Sequence, residues 1–231
     1  MIDTIPSARV DYYQGIHLVL WIIVIILFFI GSVLFLIGAL KAELKSSKMG
    51  YFSHSIYCLF YGIARIFFMI AFFNSENYDF IMSIGYVFAT LSIIFWVFFL
   101  ETYIVEFTKK IFSIITVVIL ALSVFSMLSL LNRYDAVFLI NVLTPFSVGL
   151  IFFVYLYITI KAKATVRKKV FLLFIGVFLI YLGHFMDTEF FLNTFTTIPI
   201  EIAPVIMLIG LSIFVLQFYN FPYFYIKRET I

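Results

Sequence analysis

Charge is what this sequence lacks most. Of its 231 residues only 12% are Asp, Glu, Lys or Arg, while 65% are hydrophobic and 21% aromatic. A water-soluble domain carries about 25% charged residues. So little polar material cannot cover a surface in water, which excludes a soluble enzyme, a disordered tail and a nucleic-acid-binding domain. Cysteine is nearly missing too: Cys58 stands alone, so no intrachain disulfide can form. With a mean hydropathy of +1.19, the composition is that of an integral membrane protein.

What is present is a series of seven apolar stretches, approximately 16–40, 51–73, 80–100, 111–131, 136–160, 170–186 and 198–221. A helix needs roughly 20 predominantly apolar residues to cross a bilayer. No tail or connection exceeds 15 residues, so the expectation is all-α: one polytopic domain, 1–231, forming a seven-transmembrane-helix bundle. A transmembrane β-barrel would alternate over segments of about 10 residues, unlike these continuous Ile, Phe and Leu runs. The first stretch is preceded by Asp3 and Asp11 with only Arg9 between them. It lacks the short core and basic lead of a cleaved signal peptide.

Basic residues alternate in a way that sets orientation. Twelve of the fifteen fall on one side: Lys41, Lys45, Lys48, Lys109, Lys110, Lys161, Lys163, Arg167, Lys168, Lys169, Lys227 and Arg228. Arg9 and Arg133 fall on the other, and Arg65 lies within a span. The pattern predicts an external N-terminus, a cytoplasmic C-terminus and a multi-pass protein of the cell membrane. Acidic residues mirror it, with Asp3, Asp11, Glu76, Asp79, Asp135, Asp187, Glu189 and Glu201 outside, and Glu43, Glu101, Glu106 and Glu229 inside. The basic inner face is expected to lie against anionic lipid headgroups, or against an acidic partner protein.

The few polar residues inside the spans carry the functional information. A charge at mid-membrane costs roughly 2.5–3.5 kcal/mol on insertion scales and therefore faces a bundle interior with a partner. Arg65 lies about 12 Å below the outer end of the second span at 1.5 Å per residue. His54, Cys58 and Tyr61 share its helical face. Ser83, Tyr86, Thr90 and Glu101 form a second stripe on the third span. Asn141, Thr144 and Pro145 occupy a similar layer of the fifth, while Tyr181, His184 and Asp187 recur every three residues on the sixth. Glu201 follows in what reads as the first turn of the seventh. Pro145 and Pro204 each read as lying inside a span, freeing backbone carbonyls. Together Tyr61, Arg65, Tyr86, Thr90, Asn141, His184, Asp187 and Glu201 define a polar ligand-binding cavity in the outer half of the bundle. Arg65 is expected to pair with Glu201, with Asp187 as the alternative, and such a pair also serves helix packing alone. Gly31, Ser32, Gly38, Gly62, Gly85, Gly176 and Gly183 are read as close-packing positions. Trp21, Tyr12, Tyr13, Tyr223 and Tyr225 read as interfacial anchors.

Other signatures are missing. All ten lysines lie in connections or the C-tail of this reading, so a retinal Schiff base has no amine in the bundle. His17, His54 and His184 are too few for the clustered histidines of seven-helix zinc hydrolases, and neither metal nor cofactor is expected. G-protein-coupled receptors share the topology, but Glu101-Thr102-Tyr103 lacks their arginine and Asn220-Phe221-Pro222-Tyr223 is out of register with their last-helix motif. Sugar transporters built as three helices, a linker helix and three more also share the topology. Sliding the chain by 120 residues aligns Lys41-Ala42 with Lys161-Ala162 and Tyr61 with Tyr181, whereas the prolines of that family are missing from the first, second and sixth spans. In its whole length, its Ile and Phe richness and its arginine in the second span, the chain resembles uncharacterised prokaryotic seven-helix membrane proteins. It is similar, too, to the heptahelical sensory regions that precede histidine kinases. That resemblance implies a sensor or receptor-like module, not an enzyme, signalling through a partner at its inner face. The alternatives are a small-solute transporter and a structural subunit of a membrane complex.

Overall fold

The computed structural model describes residues 14–219 except 75, 106–107, 162–163, 189–190, 192–193 and 196, with the backbone alone at 133, 134, 137, 141, 145, 164–166 and 217–219. Arg9, Asp3, Asp11, Tyr12, Tyr13, Glu106, Lys163, Glu189, residues 220–223, Tyr225, Lys227, Arg228 and Glu229 lie outside the described residues.

Among the described residues the elements are helices: α1 (Gly15–Lys41), α2 (Lys45–Phe73), α3 (Tyr78–Tyr103), α4 (Ile111–Met127), α5 (Arg133–Lys161), α6 (Ala164–Met186) and α7 (Ile202–Tyr219). α1, α2, α3, α5 and α6 are long and apolar enough to cross a membrane; α4 and the described part of α7 are apolar but shorter. Each of the seven apolar stretches thus yields one helix, with displaced ends. Hydropathy marks where the chain is greasy, while a helix continues until its backbone is capped. α2 therefore begins at Lys45 rather than 51, α5 at Arg133 rather than 136 and α6 at Ala164 rather than 170. This corrects the placement of lysine: Lys41, Lys45, Lys48, Lys161, Lys168 and Lys169 are helical, though all are exposed and confined to helix ends.

The helices form a closed ring. Each packs on its chain neighbours, α7 returns to α1, and α3 also touches α5. Antiparallel register follows from individual contacts. A Cβ on Gly38 would meet Tyr51 and one on Gly31 would meet Cys58 across α1 and α2; Gly176 faces Phe214 while Gly183 faces Ala203 and Met207 across α6 and α7. One end of the bundle, here the upper face, thus carries the ends of α2, α4 and α6 and the starts of α3, α5 and α7. The lower face carries the ends of α1, α3 and α5 and the starts of α2, α4 and α6.

Apolar side chains cover the outside as well as the inside. Ile16, Val19, Ile26, Val33 and Leu40 of α1, Ile114 and Val117 of α4, Phe146 and Phe153 of α5, and Ile209 and Leu216 of α7 are all exposed. Such a surface suits lipid and not water. The interior holds the polar groups, because unsatisfied donors are costly where no water reaches them. α4 turns a hydroxyl stripe inward: Ser126 to Ser83 at 3.0 Å, Ser123 to Thr90 at 3.5 Å and Thr116 to Ser147 at 2.9 Å. At its lower end Glu101 of α3 caps α4, accepting from the backbone N–H of Phe112 (3.1 Å) and Ser113 (2.7 Å) and from the Ser113 hydroxyl.

Candidate functional site

The polar stripe of α2 is continuous and buried: His54, Cys58, Tyr61 and Arg65 are at most 4% exposed. Their spacing puts them on one helical face, which the ring of helices turns inward. Arg65 Nη1 lies 2.6 Å from Asp187 Oδ2, with side-chain exposures of 2% and 8%. The partner is thus Asp187, and the expected pairing with Glu201 is corrected. Asp187 follows the last turn of α6, which runs parallel to α2 and ends beside it. Glu201 precedes α7 instead of occupying its first turn.

The guanidinium also lies over the indole of Trp21, 3.5 Å from the ring centroid. A cation on a Trp face is strongly favoured when both are desolvated. Trp21 is only 1% exposed, so it is part of the ion-pair chamber and not the interfacial anchor its position suggested. Its Nε1–H donates to His17 Nε2 at 3.0 Å. The α1, α2 and α6 segments are thereby tied together around one charge.

Beside this pair lies a cavity of about 610 Å³, lined by α2, α3, α5 and α6. Tyr61 and His184 are its shared wall with the ion pair: the Tyr61 hydroxyl and His184 Nδ1 are 2.7 Å apart, one helical turn from Arg65 and Asp187 respectively. Tyr86, Thr90, Thr144 and Tyr181 add hydroxyls, and Ala89, Ile93, Val148, Ile151, Val177 and Ile180 supply apolar walls. The volume is within the range of about 300–1,000 Å³ typical of small-molecule sites.

The lower end is filled by aromatic rings. Trp96 packs on Tyr57 (4.6 Å between centroids), His54 (4.8 Å) and Phe214 (5.5 Å). His54 Nδ1 is 2.6 Å from the Gly50 carbonyl, which can only accept, so this nitrogen carries the proton. Nε2 of the neutral ring accepts from the Tyr155 hydroxyl at 3.2 Å. His54, Trp96, Tyr155 and Phe214 are each 2% exposed or less, and Glu101 below them is engaged in capping α4.

The eight residues expected to form one polar cavity therefore separate. Tyr61, Tyr86, Thr90 and His184 line the cavity; Arg65 and Asp187 form a sealed pair behind its wall. Glu201 lies apart from both, and the Asn141 side chain, like that of Pro145, is outside the described residues. The cavity is also more apolar than expected, with no Asp, Glu, Lys or Arg among its described lining residues. Pro204 sits in the first turn of α7, where backbone N–H groups have no intrahelical partner in any case, so it frees no carbonyl. Tyr57 and Trp96 were missed. Their signal was the α2 and α3 periodicity itself, read for polarity and not for ring size.

Fold and site together define an all-helical bundle, with several helices apolar enough for a membrane, that holds a largely apolar cavity beside a buried ion pair. No known protein family, curated protein or solved structure matches the chain.

Proposed function

We propose that the protein is a multi-pass sensor or receptor-like module of the cell membrane. All seven helices cross the bilayer, the upper face is external and the lower face is cytoplasmic. The observation that carries this reading is a cavity closed toward the lower face and walled by the Tyr61–His184 bond. A ligand competing for that bond acts directly on the Arg65–Asp187 pair, and so on the relative position of α1, α2 and α6. Polar groups with two discrete arrangements are what couple a binding site to a distant surface. The signal leaves through a partner protein at the basic lower face, which also meets anionic lipid. The module is not itself an enzyme, and it takes up neither cofactor nor nucleic acid. Like the sensory regions that precede histidine kinases, it delegates the chemistry.

A small-solute transporter is the second reading, favoured only by the hydroxyls in the cavity. Transport needs a path through the Trp96–His54–Tyr155 plug, and a cavity residue would then be reachable from both faces. In a Cys58→Ser background, Thr144→Cys is expected to resist an impermeant thiol reagent applied from the lower face of inverted vesicles. Labelling there would replace the sensor by the transporter. The sensor reading further expects Ala89→Phe, which fills the cavity, to change the labelling rate of a reporter Lys168→Cys several-fold. An unchanged rate removes the coupling on which this reading rests.

A further inference from the structure

We infer that the ligand is a neutral, lipophilic molecule bearing a carbonyl-type oxygen, and that it enters from the bilayer between α5 and α6. The inference rests on the reading of the cavity as a ligand site and gives that site a chemistry and a door.

The door is visible in residues that belong to two surfaces at once. Phe138 and Val142 of α5 and Phe185 of α6 line the cavity, yet they are 67%, 46% and 40% exposed on the outside of the bundle. All three are apolar, and their outer sides belong to the face that suits lipid. A solute already dissolved in hydrocarbon reaches the cavity through them without crossing a polar mouth.

The ligand's chemistry follows from what the walls offer. No charged side chain is among the described lining residues, so an ion entering here would lose its hydration with nothing to replace it. Thr90 and Thr144 give their hydroxyl protons to the carbonyls of Tyr86 and Ile140, at 2.8 and 2.7 Å. Tyr57 and Tyr181 differ. Both phenols line the cavity, Tyr57 is 94% buried, and among the described residues neither hydroxyl has a hydrogen-bond partner. Two free donors, on the α2 and α6 walls that meet at the Tyr61–His184 bond, match a ligand that supplies acceptor oxygens and no charge. The aromatic walls, Trp96 among them, favour a flat molecule.

The probe is 2,3-dimethyl-1,4-naphthoquinone, which is flat, neutral, carries two carbonyls and has no free quinone-ring position for attack by the Cys58 thiol. Its charged control is 1,4-naphthoquinone-2-sulfonate. Full-length protein in lipid nanodiscs is titrated with each, following tryptophan fluorescence. The expected result is saturable quenching by the neutral probe, none by the sulfonate, and at least tenfold weaker binding in Tyr57→Phe/Tyr181→Phe. Val142→Tyr, at the door, is expected to slow association at least tenfold. Ala89→Phe, or Ile93→Phe should the first not fold, is expected to abolish binding. Quenching that rises linearly and ignores the filling variants is bilayer partitioning and overturns the inference, as does an unchanged affinity in the double Phe variant. Binding of the sulfonate, or an association rate indifferent to Val142→Tyr, overturns the lateral door while leaving the cavity a ligand site. The sensor reading fails separately, on the Lys168→Cys reporter.

Discussion

At the scale of single residues, one buried cation organises the upper half of the bundle. Removing one member of a buried pair leaves an uncompensated charge and costs roughly 3–5 kcal/mol in soluble proteins. Arg65→Leu is therefore expected to destabilise the protein by a comparable amount, with Asp187→Asn recovering part of that loss in the double mutant. Denaturation in mixed micelles provides the measurement, and additive losses would show that the 2.6 Å contact carries no coupling. Glu201→Gln combined with Arg65→Leu is expected to be additive, because Glu201 is not the partner. The arginine and its stripe were legible in the sequence, since offsets of four, three and four residues place His54, Cys58, Tyr61 and Arg65 on one face whatever surrounds them. The partner was not legible. Asp187 and Glu201 both lie near the upper ends of helices, and only the parallel course of α2 and α6, joined through the Tyr61–His184 bond, distinguishes them. Trp21 was misread for a related reason: a Trp near a span end is the same letter whether it faces headgroups or stacks on a guanidinium.

At the scale of elements, backbone approach and helix capping do the work. α6 and α7 meet through an interlocked set of glycines, in which a Cβ on Gly210 would lie 2.7 Å from the Ile180 nitrogen and one on Gly183 would lie 2.8 Å from the Ala203 carbonyl oxygen. Neither backbone can move without separating the helices. Gly210→Ala is expected to lower stability by about 1–3 kcal/mol, as overpacking does, measured as a lowered melting temperature in nanodiscs. Gly149→Ala is its control, because among the described residues a Cβ there would meet only Phe153 Cε2, at 4.0 Å. Helix propensity alone favours Ala over Gly, so Gly149→Ala is expected to be neutral or stabilising, and an equal loss at both glycines would show that the Gly210 loss does not come from the α6–α7 seam. The second expectation concerns α4, whose first turn is held by the Glu101 carboxylate. A negative side chain that accepts the free N–H groups of a helix start typically contributes about 1 kcal/mol. Glu101→Ala is expected to speed amide exchange at Phe112 and Ser113 while leaving Ser123 unaffected; uniform acceleration would mean global loosening instead. The sequence revealed Gly176 and Gly183 as packing positions but not Gly210, which acquires its meaning only from sitting between them. Nor did it reveal the cap, since Glu101 lies ten residues before α4 and reaches it only because α4 starts beside the end of α3.

At the scale of the whole molecule, the distribution of charge makes the orientation testable with few residues. Among the described residues, Lys41, Lys45, Lys48, Lys109, Lys110, Lys161, Arg167, Lys168 and Lys169 gather at the lower face, against Arg133 at the upper. An excess of Lys and Arg in short connections marks the cytoplasmic side. Hydropathy located all seven helices because each is a separate apolar run, yet it could not say that α4 is short: at 17 residues and 1.5 Å per residue it is about 26 Å long, against a hydrocarbon core of about 30 Å. Local thinning of the bilayer and its polar ends can absorb that difference, so α4 is expected to cross. The decisive positions are those whose side changes if a short helix fails to cross. In a Cys58→Ser background, cysteines replacing Glu76, Leu130 and Thr197, all exposed on the upper face, are expected to react with an impermeant maleimide on intact cells. A cysteine replacing exposed Lys168 is expected to react only after permeabilisation. Labelling of Lys168→Cys on intact cells overturns the orientation. Leu130→Cys reacting only after permeabilisation, with Glu76→Cys reacting before it, means that α4 returns without crossing. The same comparison at Thr197 tests α3 to α6: with the outer side fixed by Glu76, an inaccessible Thr197 means that the number of crossings between Glu76 and Thr197 is odd instead of the expected four. The parallel course of α2 and α6 that holds Arg65 against Asp187 would then no longer place both residues at one membrane depth.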